Sequence, residues 1–308
     1  MATAHLDWFE YAPPEFAGGT VTVGNFDGVH RGHQSLVAAA RQVAENVHGP
    51  TVVVTFDPPP HQVLHPGSER PPLTTIAQRA ELLHAIGADH VVVLRASREL
   101  LALSPEAFFE DVIVKQHGAK ALVEGYDFHF GRGRAGTNAT LRSLCEAAGL
   151  AFAEVSQFVV GGEPVSSSRV RAALLSGDVS CATELLSRPY RIAGMVVTGA
   201  KRGRTIGFPT ANLGDVQTVL PGNGVYAVRA TVDSVTHPGA ANIGPNPTFG
   251  EDSRKIEVHL IGFAGDVYGK EMQVEFVARL RETQPFAGVD ELIKQLNRDI
   301  AAAKSILV

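Results

Sequence analysis

Two cysteines, Cys145 and Cys181, are all that the 308-residue chain contains, far apart and in no metal-binding or redox spacing. A disulfide scaffold and a cysteine-ligated metal are thereby excluded, and a reducing cytoplasm is the expected setting. Long apolar runs are missing too, so no segment is expected to span a bilayer. Met1 to Glu10 carries Asp7 and Glu10 and no apolar centre, which does not fit a signal peptide. Positive charge is not in excess: 27 basic against 32 acidic residues give a net charge of −5. No broad basic field for nucleic acid exists, and any anion site must be local. The Gly-x-x-x-x-Gly-Lys-Ser/Thr phosphate loop is also absent. What remains is 44% hydrophobic and 19% charged sequence with length for about two domains that bury real cores.

The first half alternates strand and helix patterns. β-Branched or apolar runs at 20–23, 51–56, 90–94, 119–124 and 151–155 alternate with helical periodicity at 34–48, from Thr74 or Thr75 to Ile86, after Ser104-Pro105-Glu106, and at 138–148. Such repetition predicts a parallel, doubly wound sheet whose ligands lie beyond the strands' carboxyl ends. Three segments fall there. The first is Gly24-Asn25-Phe26-Asp27-Gly28-Val29-His30-Arg31-Gly32-His33, a strand, a tight turn and a helix start. Gly24, Gly28 and Gly32 permit close backbone approach, and two histidines three apart at a helix start can converge on an anion. A glycine turn with two satisfied surface histidines is the plainer alternative. The second is the proline loop Asp57-Pro58-Pro59-Pro60. The third, Gly125 to Gly136, holds Asp127 and Phe128 and a literal Gly-x-Gly-x-x-Gly from Gly131. A dinucleotide-binding dehydrogenase would place that fingerprint directly after its strand, whereas here it trails Glu124 by seven residues. Further on, Ser166, Ser167 and Ser168 precede Arg169 and Arg171 at a helix start, as helix caps or phosphate ligands.

This half resembles the nucleotidylyltransferases through His-x-Gly-His, and bacterial FAD synthetases through Gly-x-Phe-Asp-Gly-x-His-x-Gly-His and Gly-x-Asp-Phe-x-Phe-Gly. The resemblance implies that Gly24, Asn25, Phe26, Asp27, Gly28 and Gly32, with Asp127, Phe128, Ser166 and Ser167, line the nucleotide and flavin sites. It further implies that His30 and His33 contact ATP phosphates and that Arg171 neutralises the leaving pyrophosphate. Two positions depart from the family pattern. Pro59 stands where a histidine is usual, and Tyr126 where a polar or acidic residue is usual, both bearing on the efficiency or nucleotide preference of adenylylation.

The rhythm changes near Arg188-Pro189, which sets an expected boundary between residues 1–187 and 188–308. Beyond it, short β segments at 192–197, 225–232, 240–243, 256–261 and 272–277, separated by glycine or proline turns, predict an antiparallel barrel closed by a helix at 289–306. Its chemical centre is Gly199 to Asn212, with the cations Lys201, Arg202 and Arg204 among Gly199, Gly203 and Gly207, followed by Phe208-Pro209-Thr210-Ala211-Asn212. Thr210 and Asn212 offer neutral oxygens to a hard cation such as Mg²⁺, or are turn formers. Glu257 alternates with Ile256 and Val258, as a solvated outer-face acid would. Gly-Phe-Pro-Thr-Ala-Asn followed by Glu-Val-His-Leu resembles riboflavin kinase, and Leu220 to Tyr226 and Asn246 to Gly250 fit in the same order. From about residue 18 onward the chain is therefore identified as resembling the bifunctional bacterial riboflavin kinase and FMN adenylyltransferase family. The resemblance implies an α/β plus β architecture: a Rossmann-like nucleotidylyltransferase sheet, then a riboflavin kinase-like barrel. It implies Mg·ATP at Thr210 and Asn212, Glu257 as general base, riboflavin, FMN and FAD as substrates and products, and Mg²⁺ for both steps. Only small-molecule partners are implied. A riboflavin kinase with a degenerate, merely flavin-binding first half is the alternative.

Overall fold

The computed structural model describes residues 1–68, 70–199, 203, 206–246 and 251–307. Lys201, Arg202 and Arg204, and Pro247 to Gly250 of the second motif, lie outside these residues. The chain forms two compact units: Met1–Arg70 with Thr74–Ser166, and Pro71–Leu73 with Ser167–Val308.

The first unit is a six-stranded sheet in the order β1-β4-β3-β2-β5-β6. Its strands are β1 (Ala2–Leu6), β2 (Thr20–Val23), β3 (Thr51–Phe56), β4 (His90–Leu94), β5 (Ala121–Gly125) and β6 (Ala151–Val155), and every pairing is parallel. β2, β3 and most of β4 and β5 are buried on both faces, which is why they read as unbroken apolar runs. α1 (Arg31–Val47) and α3 (Ile76–Ala85) cover one face through Val37, Ala40 and Leu83. The other face packs on α5 (Pro105–Phe108), its π-helical continuation Phe109–Gln116, and α6 (Asn138–Ala148). Chain order reverses between β2 and β5, making their carboxyl ends the switch point at which such sheets bind ligands.

The sequence pattern did not anticipate β1, an edge strand of mixed polarity that pairs with β4. Nor did it anticipate the short helices α2 (Pro60–Leu64) and α4 (Arg98–Ala102) or the small hairpin of β7 (Val159–Val160) and β8 (Glu163–Pro164). The proline run expected to open a loop starts α2, with Pro60 at its first position, where a missing N–H costs nothing.

The second unit opens with α7 (Ser167–Ser176) and α8 (Val179–Leu186). A closed barrel follows, β10-β13-β12-β11-β14-β9, formed by β9 (Tyr190–Val197), β10 (Ala211–Gly214), β11 (Gly224–Val232), β12 (Val235–Asn246), β13 (Glu251–Leu260) and β14 (Glu271–Arg281). Every described pairing is antiparallel, β9 and β10 completing the ring. Inward residues such as Ile192, Tyr226, Val228, Ile243, Val258, Val274 and Phe276 fill the interior. The terminal helix α9 (Val289–Leu307) lies on the outside, where Ile300, Ala303 and Leu307 meet Ala227, Ala240 and Ala278. Small residues on the sheet let the helix approach closely. Asp299 on α9 is buried and takes three hydrogen bonds from Arg281, plus one from Gln295 at 2.8 Å.

Candidate active sites

In the first unit, β2 delivers the chain into a turn that ordinary residues enter at a cost. Phe26 and Val29 have φ of 47° and 43°, and Gly28 has 85°. A β-branched residue at positive φ is strained, and such strain persists only where the surroundings enforce it. The enforcement comes from a buried network. Asp27 accepts hydrogen bonds from the Thr74 amide at 3.1 Å and hydroxyl at 3.3 Å, and the Arg79 guanidinium lies 3.5 Å from the same oxygen. Arg79, only 2% exposed, also donates to Thr55, whose hydroxyl donates to the Asn25 carbonyl. Burial draws the Arg79 guanidinium below its ordinary pKa, opposed by the charges of Asp27 and Asp57. Thr74 is thus committed to the loop, and Thr75 caps α3 through a reciprocal capping box with Gln78.

The turn leaves His30 as the N-cap of α1, its ring accepting from the His33 amide at 3.4 Å. The imidazoles stack at 3.6 Å, and Phe26 packs 5.0 Å from His33. A Cβ on Gly32 would sit 3.2 Å from the His30 ring and 3.6 Å from the Val165 carbonyl; one on Gly24 would sit 3.2 Å from the Phe26 ring. Gly24, Phe26, Gly28, His30, Gly32 and His33 are therefore gathered at one helix start, with Ser166 following Val165 beside it. Asn25 is exposed, its carbonyl fixed by Thr55. Asp27, expected among the ligand contacts, also holds the loop through Thr74 and Arg79.

Glu124, which the pattern reading used only as a strand end, sits at the switch point. β2 and β5 pair only at Thr20 with Ala121 and Val21 with Leu122. Beyond that rung the Glu124 carboxylate oxygen Oε1 replaces a ladder carbonyl, accepting the Val23 amide at 2.7 Å. Its Oε2 has no partner among the described residues, and burial pushes the carboxyl well above its usual range. After β5, Tyr126, Asp127 and His129 are exposed and the Asp127 carbonyl accepts from His129, while Phe128 stacks on Phe130 at 5.6 Å. Gly131 to Gly136 forms a short turn pinned by the Phe130–Gly136 bridge, and α6 starts only at Asn138. It does not open a helix directly from a strand, which removes the dehydrogenase reading. Ser167 opens α7 in the second unit, and Arg171 on that helix donates to the Pro71 carbonyl.

In the second unit, the predicted kinase residues converge at β10 and β13. Asn212 and Glu257 are direct cross-strand partners, on the outer face between inward Ala211, Val258 and Ile256. A Cβ on Gly199 would meet the Asn212 Nδ2 at 2.2 Å, so only glycine leaves room for that carboxamide. At Gly203 a Cβ would fall 2.2 Å from the Phe208 carbonyl and 3.5 Å from the Thr210 hydroxyl, and the Phe208 amide donates to the Gly203 carbonyl at 2.8 Å. Gly207 takes φ of 89° in the intervening turn. His259, two residues beyond Glu257, was not among the expected site residues. Its Nδ1 donates to the Pro209 carbonyl at 2.8 Å and its ring meets Phe208 edge-on, tying the Phe208-Pro209-Thr210 segment to β13. Lys201 lies outside the described residues.

A family model described as FAD synthetase matches residues 13–169, and one described as riboflavin kinase matches residues 186–307. Relatives named bifunctional riboflavin kinase/FMN adenylyltransferase align along nearly the whole chain. The Pseudomonas fluorescens protein is 39% identical, over 95% of this chain and 94% of its own. This chain belongs to the bifunctional riboflavin kinase/FMN adenylyltransferase family. Further members of the family include the Escherichia coli (strain K12) protein, 38% identical over 95% of this chain and 93% of its own, and the Bacillus subtilis (strain 168) protein, 37% identical over 92% and 91%. With both family domains matched and the relatives carrying both names, the kinase-only alternative has no support. A crystal structure of a macrolide-efflux protein from Streptococcus pneumoniae shares the fold with a TM-score of 0.88 and 31% identity, covering 97% of this chain and 98% of that one. Among the described residues no helix is long and apolar enough to cross a membrane.

Proposed function

We propose that the two motif sets divide the family's two reactions between them. The enzyme converts riboflavin and ATP to FMN and ADP, then FMN and ATP to FAD and pyrophosphate. For the kinase step, Glu257 accepts the proton of the ribityl terminal hydroxyl as that oxygen attacks the γ-phosphate. The carrying observation is the placement of Glu257 directly opposite Asn212, beside a glycine loop built around that carboxamide. A sugar-type hydroxyl needs a positioned proton acceptor, and no covalent intermediate is required. Thr210 and Asn212 fit Mg²⁺ as neutral oxygen donors and would hold it there, where it would offset charge on the transferred phosphoryl group. Gly199, Gly203, Gly207, Phe208 and Pro209 shape the ATP loop, and Lys201 is assigned there on the family resemblance.

In the adenylyl step the FMN phosphate attacks the α-phosphate of ATP and pyrophosphate leaves. His30 and His33 stabilise the phosphates at the amino end of α1, with the free N–H groups of its first turn. Gly24, Gly28 and Gly32 keep the approach open. Asn25, Asp127, Phe128, Ser166 and Ser167 border the ligands, and Arg171 is assigned to pyrophosphate on resemblance alone. The working halves are taken as residues 1–187 and 188–308, and a cytoplasmic setting is supported by two free cysteines.

The test is a chromatographic time course with ATP and Mg²⁺, started from riboflavin and separately from FMN. The full-length enzyme gives FAD from both starts, with FMN appearing first in one. Glu257→Gln loses FMN formation and keeps adenylylation of supplied FMN; His33→Ala does the reverse. Loss of both reactions in either folded variant refutes the division.

A further inference from the structure

The sheet of the first unit splits at its switch point. β2 stays with β3 to its end, where the Gly24 amide donates to the Val54 carbonyl at 3.0 Å and the Asn25 carbonyl accepts from the Thr55 hydroxyl at 3.0 Å. β5 stays with β6 instead, as far as Gly125 opposite Val155, and the Tyr126 amide then donates to the Val155 carbonyl at 3.0 Å. Asn138, the first residue of α6, holds the Gly125 carbonyl through its Nδ2 at 2.9 Å. Between the two halves the pairing stops at Val21 opposite Leu122. Two loops leave from opposite sides of the split: residues 24–33, with the stacked histidines, and residues 125–136, with Asp127 and Phe128. What crosses the split is the Glu124 side chain, whose Oε1 accepts the Val23 amide at 2.7 Å. A backbone carbonyl in that role would draw the strands to the ordinary spacing of about 4.8 Å. A carboxyl group on two methylenes reaches farther and holds them apart. Glu124 is 1% exposed and by alternation shares its face with Leu122, which packs with Leu141 and Cys145 of α6. Burying an acid with Oε2 unpartnered among the described residues is costly, and an apolar residue would fill the position without that cost. A local rule broken at the ligand-binding end of a sheet points to a use.

We propose that Glu124 is a positioning residue for the adenylyl step, its carboxyl group bridging the split between β2 and β5 and so fixing the separation of the histidine loop from the loop that carries Asp127 and Phe128. The inference rests on the loop of His30 and His33 being the adenylyl site. Attack of one phosphate on another needs both held in line, and the separation of the loops that border them sets that alignment. Glu124, fully buried, acts through the strands it joins. Without it the Val23 amide must take a β5 carbonyl, drawing the strands together, or go unpaired in the interior and loosen the end of β2. Either result moves the turn that begins at Gly24, one residue beyond Val23. Glutamine has the same reach and the same acceptor, so length and acceptor, and not charge, are what the role requires.

The experiment compares full-length wild-type enzyme, Glu124→Met and Glu124→Gln in adenylylation of supplied FMN with ATP and Mg²⁺. kcat and KM are determined separately, and melting temperature and hydrogen exchange of the β3 and β4 amides are recorded on the same preparations. Glu124→Met keeps the volume and removes the acceptor. Its kcat falls on the order of a hundredfold, the cost of about 1 Å of misplacement, with KM for ATP and FMN little changed and β3 and β4 still protected. Glu124→Gln restores kcat to near the wild-type value. Glu124→Val, which suits a buried strand, replaces Glu124→Met if those amides lose protection. A wild-type kcat in the variant lacking the acceptor, with only the melting temperature lowered, overturns the proposal and leaves Glu124 a structural residue. A folded Glu124→Gln as slow as Glu124→Met overturns it as well. Retention of adenylylation by His33→Ala in the same assay identifies instead a failure of the site assignment.

Discussion

At Gly199 a hydrogen in place of a methyl group is what lets the Asn212 carboxamide lie where it does. A Cβ there would approach Nδ2 to 2.2 Å, far inside contact distance. Gly199→Ala therefore displaces Asn212, and a displacement of about 1 Å at a reacting centre costs on the order of a hundredfold in rate. The expected result is a kinase kcat down by about that factor with adenylylation of FMN unchanged, measured in the same preparation. In the other unit Arg79 braces the motif loop through Asp27 and Thr55. Arg79→Met leaves Asp27 and Thr55 without their buried donor, a loss of about 3–5 kcal/mol if the pair is broken one-sidedly. Adenylylation is expected to fall steeply while riboflavin phosphorylation persists; equal loss of both would contradict the assignment of Arg79 to the motif loop.

Among the elements, β2 and β5 diverge after two rungs, and a side chain fills the gap that backbone would fill elsewhere in the sheet. Burial favours the neutral form of Glu124, so the folded state holds a proton that the unfolded chain releases above its ordinary pKa of 4.5. Where the folded state binds more protons than the unfolded one, stability declines with rising pH. The Glu124 contribution is therefore fully present below about pH 4.5 and is lost as pH rises through the raised folded value, at up to about 1.4 kcal/mol per pH unit. Glu124→Gln keeps an acceptor for the Val23 amide and cannot ionise. Its melting temperature, compared with wild type across pH, should gain on wild type as pH rises above the ordinary value of 4.5 and through the raised folded one. Parallel curves would show that Glu124 does not titrate on unfolding.

For the whole molecule, the start of the family match and the start of the folding unit fall at different places. The riboflavin kinase match begins at residue 186, yet α7 and α8 belong to the barrel's unit from Ser167. Val179, Ala182, Leu185 and Leu186 are fully buried, α8 packs on β9 and β14, and a Cβ on Gly177 would meet the Tyr226 hydroxyl at 2.8 Å. Removing two buried leucines and their neighbours costs about 2–5 kcal/mol for each large side chain. A fragment beginning at Ser167 is expected to retain riboflavin kinase activity, and one beginning at Arg188 to unfold at markedly lower denaturant concentration. Equal midpoints would show that the two helices add nothing to the barrel.

Local chemistry wrote much of this protein into its sequence. Periodicity located the buried strands β2, β3 and β4 and the helix α6, because a strand covered on both faces can only be apolar and a helix over a sheet must repeat its apolar stripe. The glycine-rich motifs were legible for the same reason: a turn at positive φ or with close backbone approach tolerates few residue types. β1 was not legible, since an edge strand of mixed polarity takes its identity from pairing with β4, and β10, four residues long, takes its own from β9 and β13. The contacts of Arg79, Glu124 and His259 were also decided by tertiary structure alone. Arg79 reaches Asp27 across 52 positions and Glu124 reaches Val23 across 101, and barrel register set Asn212 and Asn242 on either side of Glu257. Sequence spacing carries the period of one element; which side chains meet between elements is set only when the sheet closes and the registers lock.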